Sequence, residues 1–219
     1  MPALKRLSIP DPASFHALLM PSLYGAEAFY LVEQGVPASN LFAVEDNCAE
    51  TNYDKFFDVH AEIKACQFAD RQELKGMRTT DRPKAFSEAL DEAYYAFDEK
   101  KYNLIYLDFL SQPEYKVHYD NGLLKIMRAR MLAPNGTLIL TFGRSRCRSN
   151  TAGLNHDLLK ASRRLLKIGQ NLPTEVYVGA AVAKTKHPLF KRMRSYSYES
   201  KPDNGKRGKI EYVTTVVEF

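Results

Sequence analysis

The sequence feature that most constrains the fold is a pair of short apolar runs, each of which ends in an acidic residue. Residues 41–44 run into Glu45, and residues 104–107 run into Asp108. Short apolar runs between polar positions are typical of parallel strands buried on both faces. Because ligands of open α/β sheets bind just outside the carboxyl ends of the strands, these acids are candidate ligand contacts. The sequence therefore predicts an α/β fold with Glu45 and Asp108 at a binding crevice.

Further along the chain, strands and helices alternate, which favours a largely parallel sheet in one domain, residues 1–219. The final third differs, because residues 190–198 and 210–219 flank a polar loop and predict an antiparallel hairpin. We treat residues 1–12 as an N-terminal extension and 143–219 as the basic C-terminal portion. The predicted strands are 15–20, 41–45, 63–68, 102–108 and 137–142; the predicted helices are 26–34, 53–59, one starting at Asp81, 123–132 and 155–168; residues 69–82 are predicted loop.

The charge is concentrated in the C-terminal third. Residues 143–209 contain sixteen Lys or Arg against four Asp or Glu, whereas the rest of the chain is acidic. Such an asymmetry suggests a polyanionic partner, and it is equally typical of a solvated basic face. Basic residues interleaved with aromatics suit phosphate contact together with base stacking. We therefore predict nucleic-acid contacts at Arg144, Arg146, Arg148, Lys191, Arg192 and Arg194.

The remaining composition excludes several classes of protein. The three cysteines are widely spaced, which argues against a disulfide framework and a zinc cluster and favours a reducing, cytoplasmic compartment. No apolar run approaches the roughly 20 residues of a membrane span, and no signal peptide is recognisable. GxSxG, Walker and HExxH motifs are absent from the sequence. We expect neither a metal nor a membrane partner.

Three local features give the chain a resemblance to class I S-adenosylmethionine-dependent methyltransferases over residues 15–219. They are the strand-turn-helix with Gly25 in its turn, the strand ending in Glu45, and the strand ending in Asp108 followed by Leu132-Ala133-Pro134-Asn135-Gly136 and an apolar strand. The resemblance implies a Rossmann-like methyltransferase sandwich, a mostly parallel seven-stranded sheet with a C-terminal antiparallel hairpin. It also implies S-adenosylmethionine as cofactor.

The resemblance assigns roles to four positions near the cofactor. Glu45 matches the acid that accepts hydrogen bonds from the two ribose hydroxyls, a role suited to an acceptor-only carboxylate, and its neighbour Asp46 is the alternative. Gly25 matches the turn where the backbone approaches the cofactor. Asp70 corresponds to a residue that contacts the adenine amino group. The turn has one glycine where the family usually has two or three, which departs from the pattern.

At the reacting end, the resemblance implies catalytic roles for Asp108 and Phe109. Amino-group methyltransferases carry an acid or asparagine there, then two prolines and an aromatic. The acid positions the amine and the aromatic stacks on the base, so positioning supplies much of the rate. The two prolines are missing here, so the acceptor atom stays open.

Three functions therefore compete. The leading one is a methyltransferase that acts on nucleic acid. The second is a catalytically inactive module on the same fold that binds nucleic acid or a protein partner, which would suit a viral or mobile-element origin. The third, a nucleotide- or nicotinamide-binding Rossmann enzyme, is disfavoured because GxGxxG is absent and because the chain ends in a predicted antiparallel hairpin.

Overall fold

The fold is centred on a single β-sheet. The computed structural model describes residues 3–20, 25–44, 72–79, 86–97, 101–109, 115–143, 157, 160–162, 164, 173–187, 190–200 and 210–219. The strands in this part of the chain are β1 (Ala17–Leu19), β2 (Leu41–Ala43), β3 (Arg78–Thr79), β4 (Tyr102–Asp108), β5 (Leu132–Gly143), β6 (Arg192–Ser200) and β7 (Ile210–Glu218). They form one seven-stranded sheet in the order β3-β2-β1-β4-β5-β7-β6.

The direction of the strands divides the sheet into two parts. Strands β1 to β5 run parallel to one another, whereas β7 runs antiparallel to both β5 and β6. The predicted fold class is confirmed: the chain has a Rossmann-like, class I methyltransferase-like fold with a mostly parallel sheet and a C-terminal antiparallel hairpin.

Helices cover both faces of the sheet. They are α1 (Ala26–Glu33), α2 (Phe86–Tyr95), α3 (Leu124–Arg128), which continues a π-helical stretch Tyr115–Leu123, and α4 (Pro173–Thr185). Buried residues of α2, α3 and α4 pack in one hydrophobic cluster, and those of α1 pack in a second cluster on the other face, together with the N-terminal segment. Short 3-10 turns lie at Leu4–Arg6, Pro12–Ser14, Ala38–Asn40 and Gln72–Leu74.

Strand β4 shows why the apolar runs form the centre of the sheet. Leu104 and Tyr106 belong to the α1 cluster, whereas Ile105 and Leu107 belong to the opposite cluster, because successive side chains point to opposite faces. All four are at most 4% exposed. Burial of each aliphatic side chain contributes about 1.5–3 kcal/mol, so a run that is apolar on both faces fits only the sheet interior.

Two predicted elements differ from the structure. Strand β3 lies within residues 69–82, which were predicted to be loop. It has only two residues, so periodicity gives no signal there. The predicted helix 123–132 starts earlier, in the π-helical stretch, and its α-helical part ends at Arg128. Arg130, with φ 50°, breaks the helix, and Leu132 belongs to β5.

Other predictions for the elements have mixed outcomes. The buried helix α4 contains the apolar run 176–183, for which no element was predicted, because the periodicity of such a run does not distinguish a strand from a helix. Predicted helix 53–59 and strand 63–68 lie outside the described residues. None of the helices described in the structure is long and apolar enough to cross a membrane.

Candidate functional site

The candidate site lies where the order of the strands reverses. From β1 the chain passes to β2 on one side, while β4 pairs with the other side of β1. Such a switch point leaves a crevice at the carboxyl ends of the two strands, which is where open α/β sheets bind ligands. In this sheet the switch point lies beyond Leu19 of β1 and Tyr106 of β4, which are partners in the parallel register.

Gly25 forms the start of α1 at this edge. Its φ of 61° and ψ of 25° are left-handed, and its carbonyl accepts a hydrogen bond from the Phe29 amide at 3.0 Å. A side chain costs roughly 1–2 kcal/mol in this conformation, so glycine is the residue that fits. The structure therefore places Gly25 at the turn between β1 and α1, as the sequence predicts.

Glu27 is a buried acid in the first turn of α1, and it is not among the site residues predicted from the sequence. It is 4% exposed, and its charge acts on Asp108. A negative charge is favoured at a helix N-terminus, which offsets part of the cost of burying it. The available signal was its position one turn before Leu31, which places both residues on the buried face of the helix.

Asp108 ends β4 beside this acid. The pKa of its carboxyl group is raised from 3.8 to about 6, first because burial penalises the charged form and second because Glu27 is nearby. A hydrogen bond from the Tyr106 hydroxyl acts in the opposite direction. Within the described part of the chain, the buried Oδ1 atom of Asp108 has no hydrogen-bond donor. The site therefore presents a buried acceptor that a cation or an amine would satisfy.

Phe109 lies in the hydrophobic core, away from the position that its predicted role requires. It is 1% exposed, its ring stacks on Phe142 with centroids 4.9 Å apart, and it meets Phe86 edge-to-face at 5.5 Å. Its amide donates to the carbonyl of Thr141 at 2.9 Å, which fixes the end of β4 against β5. Stacking on a substrate base would require this ring to leave the core.

The other predicted site residues divide into two groups. Those that fall outside the described residues are Glu45, Asp46, Asp70, Arg144, Arg146 and Arg148. Lys191, Arg192 and Arg194 are described and exposed, at the start of the edge strand β6. Three strand spacings separate β6 from β4, about 14 Å at 4.8 Å each. The structure therefore does not bring these basic side chains into contact with Asp108.

Two of the three basic residues have partners of their own. The Arg192 Nε atom lies 2.6 Å from Glu218 Oε2, and this contact raises the pKa of the guanidinium. Lys191 Nζ donates to Asn135 Oδ1 and, at 3.1 Å, to the main-chain oxygen of Phe219. In the described ranges, no cluster of three or more His, Cys, Asp or Glu residues could hold a metal ion.

Comparisons with known proteins give a distant structural likeness. No protein-family model matches the chain, and no curated protein matches its sequence. Among solved structures, cofactor-bound Rv0187 from MTB shares 11% identity at a TM-score of 0.37, covering 92% of this chain and 72% of that one. An O-methyltransferase from Bacillus cereus in complex with SAH shares 13% identity at a TM-score of 0.36, covering 92% and 73%. Because both scores are below 0.5, the fold assignment depends on the strand order and directions described above.

Proposed function

We propose that this chain is an S-adenosylmethionine-dependent methyltransferase that acts on nucleic acid. The observation that carries the proposal is the buried Oδ1 atom of Asp108, which has no donor among the described residues, at the switch point of a methyltransferase-like sheet. Asp108 and the buried Glu27, whose charge helps to raise the pKa of Asp108, form the acid pair of this site. A buried acceptor without a donor is costly unless a ligand compensates it. A positively charged ligand is the natural compensation at this position.

The residues present fit that cofactor. S-adenosylmethionine carries a sulfonium and an ammonium group, and it supplies an electrophilic methyl group when bound. The buried Oδ1 atom of Asp108 provides an acceptor for which the described residues supply no donor. The left-handed turn at Gly25 brings backbone without a side chain to the same edge. Together they provide a charge and a surface suited to a cationic ligand.

The other cofactor contacts in this proposal follow from the sequence. Glu45 is expected to accept the ribose hydroxyls, with Asp46 as its alternative, and Asp70 to contact the adenine amino group. From the sequence, Asp108 is expected to hold the amine of the substrate by accepting its hydrogen bond. Its buried Oδ1 atom also makes it a candidate acceptor for the ammonium group of the cofactor. These roles need acceptors with two oxygens, which all four carboxylates have.

The nucleic-acid part of the proposal depends on the basic C-terminal third. Arg144, Arg146 and Arg148 follow β5 in the sequence, and Lys191, Arg192 and Arg194 lie at the start of β6. Cations contribute sequence-independent affinity for phosphates. Phosphate contacts position a nucleic acid but do not recognise its base sequence. The residues at the switch point would therefore select the base that is methylated.

Isothermal titration with S-adenosylhomocysteine at neutral pH tests the cofactor. We expect binding by the wild-type chain and at least a tenfold loss in Asp108→Asn, because hydrogen bonds to charged groups contribute about 1.5–3 kcal/mol. Glu45→Ala is expected to abolish binding. Glu33→Gln, which removes an exposed acid from the far end of α1, is the matched control and should bind normally. Absence of heat at millimolar ligand, with a folded protein by circular dichroism, would contradict the proposal.

A second candidate function is a binding module that has no cofactor. It is favoured by the separation between the acid pair and the basic residues of β6, which could contact nucleic acid without a cofactor site. Oligonucleotide binding that weakens steeply with salt, together with no S-adenosylhomocysteine binding, would establish this alternative.

A further inference from the structure

An open cleft of ≈ 580 Å³ lies between the β5–β7–β6 part of the sheet and the N-terminal segment. Thr137, Ile139 and Val216 of β5 and β7 contribute to its lining. Arg6 and Asp11 line it from the N-terminal segment. The volume is that of a small-molecule site, and the lining combines charged and polar side chains with apolar ones.

Strand β6 lines the cleft with a row of alternate residues, Arg192, Arg194 and Tyr196. Side chains two apart on a strand point to the same face, so the three form one continuous row. Met193, between them, packs against the core of the opposite face. We call this row the β6 row.

The charged side chains that line the cleft have a positive sum, because four cations stand against the carboxylates of Asp11 and Glu218; the cations are Arg6, Lys191, Arg192 and Arg194. Glu218 forms an ion pair with Arg192 at 2.6 Å, whereas Asp11, which accepts a hydrogen bond from the Ser14 hydroxyl at 2.5 Å, keeps its charge. Arg6 and Arg194 have no ion pair among the described residues. Two guanidinium groups are therefore available to an anion in the cleft, and guanidinium geometry suits phosphate oxygens.

Tyr196 adds an aromatic surface at the end of the row. It is one of the two large hydrophobic side chains that are exposed in the described ranges, at 37%. The Arg6 guanidinium lies 5.5 Å from the centroid of its ring. An exposed ring among cations can stack a base while the adjacent phosphates are neutralised.

The register connects the β6 row to the candidate site. Tyr196 pairs with Thr214, Thr214 pairs with Thr141, and Thr141 pairs with Asp108, so Tyr196 and Asp108 are at the same level of the sheet. Side-chain alternation also places both on the face that carries α1, because Tyr106 and Ile139 belong to that cluster. The lateral distance is about three strand spacings, or 14 Å.

We infer that the cleft binds single-stranded nucleic acid, with phosphates at Arg6 and Arg194 and a base on Tyr196. The strand would run along the β6 row to the level of Asp108. The inference deepens the proposed function by naming the form of the substrate, and its binding step needs no cofactor. A single strand fits better than a duplex, because a duplex stacks its bases on one another and leaves no face for Tyr196.

Fluorescence anisotropy of labelled oligothymidylate and oligouridylate, each of about twelve nucleotides, tests this inference. We expect binding at low salt without cofactor. Tyr196→Ala should weaken it about tenfold, because a stacked aromatic contributes about that much per base. Tyr196→Phe, which keeps the ring, should retain the affinity. Arg194→Ala should weaken binding and reduce its dependence on salt.

The matched control for Arg194 is Arg128→Ala, which removes an exposed cation from α3, on the other face of the sheet. It should bind as the wild type does. Equal loss in Arg128→Ala and Arg194→Ala would show diffuse attraction and overturn the cleft assignment. Normal binding by Tyr196→Ala would do the same. Thermal melts confirm that each variant is folded.

Two competitors identify the ligand. Unlabelled duplex should compete more weakly than single strand, and tighter duplex binding would overturn the inference. Uridine monophosphate at the same nucleotide concentration should compete poorly; efficient competition would identify a free nucleotide as the ligand instead. Oligonucleotide binding without S-adenosylhomocysteine binding would reject the proposed methyltransferase and leave the cleft assignment standing, and the reverse result would reject only the cleft.

Discussion

At the scale of single residues, the most informative group is the carboxyl of Asp108. An aspartate with a pKa of about 6 favours its neutral form more than a solvated one does, so the fold holds this charge at a cost to stability. Buried acids with a raised pKa are frequently found at functional sites, because a bound ligand can offset the free-energy cost of burying the charge. The same group is therefore expected to oppose stability and support binding.

Asp108→Asn tests the cost to stability. The pKa is raised from 3.8 to about 6, so the native state binds a proton more tightly than the unfolded chain does. The stabilisation from this proton is fully present below about pH 4 and is lost as pH rises through about 6. Asparagine cannot ionise, so we expect the variant to be more stable at neutral pH by up to about 3 kcal/mol, and about equal near pH 4.

Urea denaturation at several pH values measures this difference. Glu33→Gln, which neutralises an exposed acid, should show no such pH-dependent gain. A variant that is less stable than the wild type at neutral pH would show that Asp108 has a stabilising partner.

At the scale of elements, the pairing of β4 with β5 shows how the Pro-Asn-Gly segment is accommodated at the start of β5. Register shifts there, from Tyr102 opposite Leu132 to Leu104 opposite Thr137. Within the shift, Asn135 has φ 65°, and Gly136 lies against the backbone of Ala133. The Pro-Asn-Gly segment, which precedes the predicted strand 137–142, is therefore an irregularity inside β5.

Gly136→Ala should destabilise the protein by about 1–3 kcal/mol, as overpacking does elsewhere. An added Cβ would lie 2.8 Å from the carbonyl oxygen of Ala133 and 3.1 Å from that of Tyr102. Both are backbone atoms, so the junction itself would have to move. Urea denaturation followed by circular dichroism measures the loss.

The exposed Pro134 provides the control for the same turn. Pro134→Ala should change stability by no more than about 1 kcal/mol. An unchanged midpoint in Gly136→Ala would mean that the turn can relax, and that glycine is not required there.

At the scale of the whole molecule, the sheet separates the acid pair from the β6 row. The distance of about 14 Å between β4 and β6 exceeds the Debye length of about 8 Å at physiological salt. We therefore expect Arg194→Ala to leave the affinity for S-adenosylhomocysteine within about twofold of the wild-type value.

Titration calorimetry of this variant at physiological salt measures the coupling. Asp108→Asn, which alters the proposed cofactor site directly, provides the contrast. A loss of cofactor affinity in Arg194→Ala comparable to that in Asp108→Asn would show that the two regions form one site.

Much of this arrangement follows from local patterns. The β4 boundaries, the α1 helix and the C-terminal hairpin are confirmed, because apolar runs and alternation record burial directly. Strand β3 was missed, since two residues show no period. The role of Phe109 as a stacking residue is not supported by its position, because a strand-end aromatic packs in a core as readily as it lines a crevice.

The sequence by itself determined which segments are buried, and hence the alternation of strands and helices and the acid at the end of β4. Only the tertiary structure decided which side chains meet. The charge of Glu27 acts on Asp108 because β1 and β4 are neighbours, although 81 residues separate the two acids in the chain. Tyr196 is aligned with Asp108 across the sheet by the register of the two strands between them, β5 and β7. The local periodicity of apolar residues predicts which residues are buried. Register and strand order instead depend on contacts between segments that are distant in the sequence.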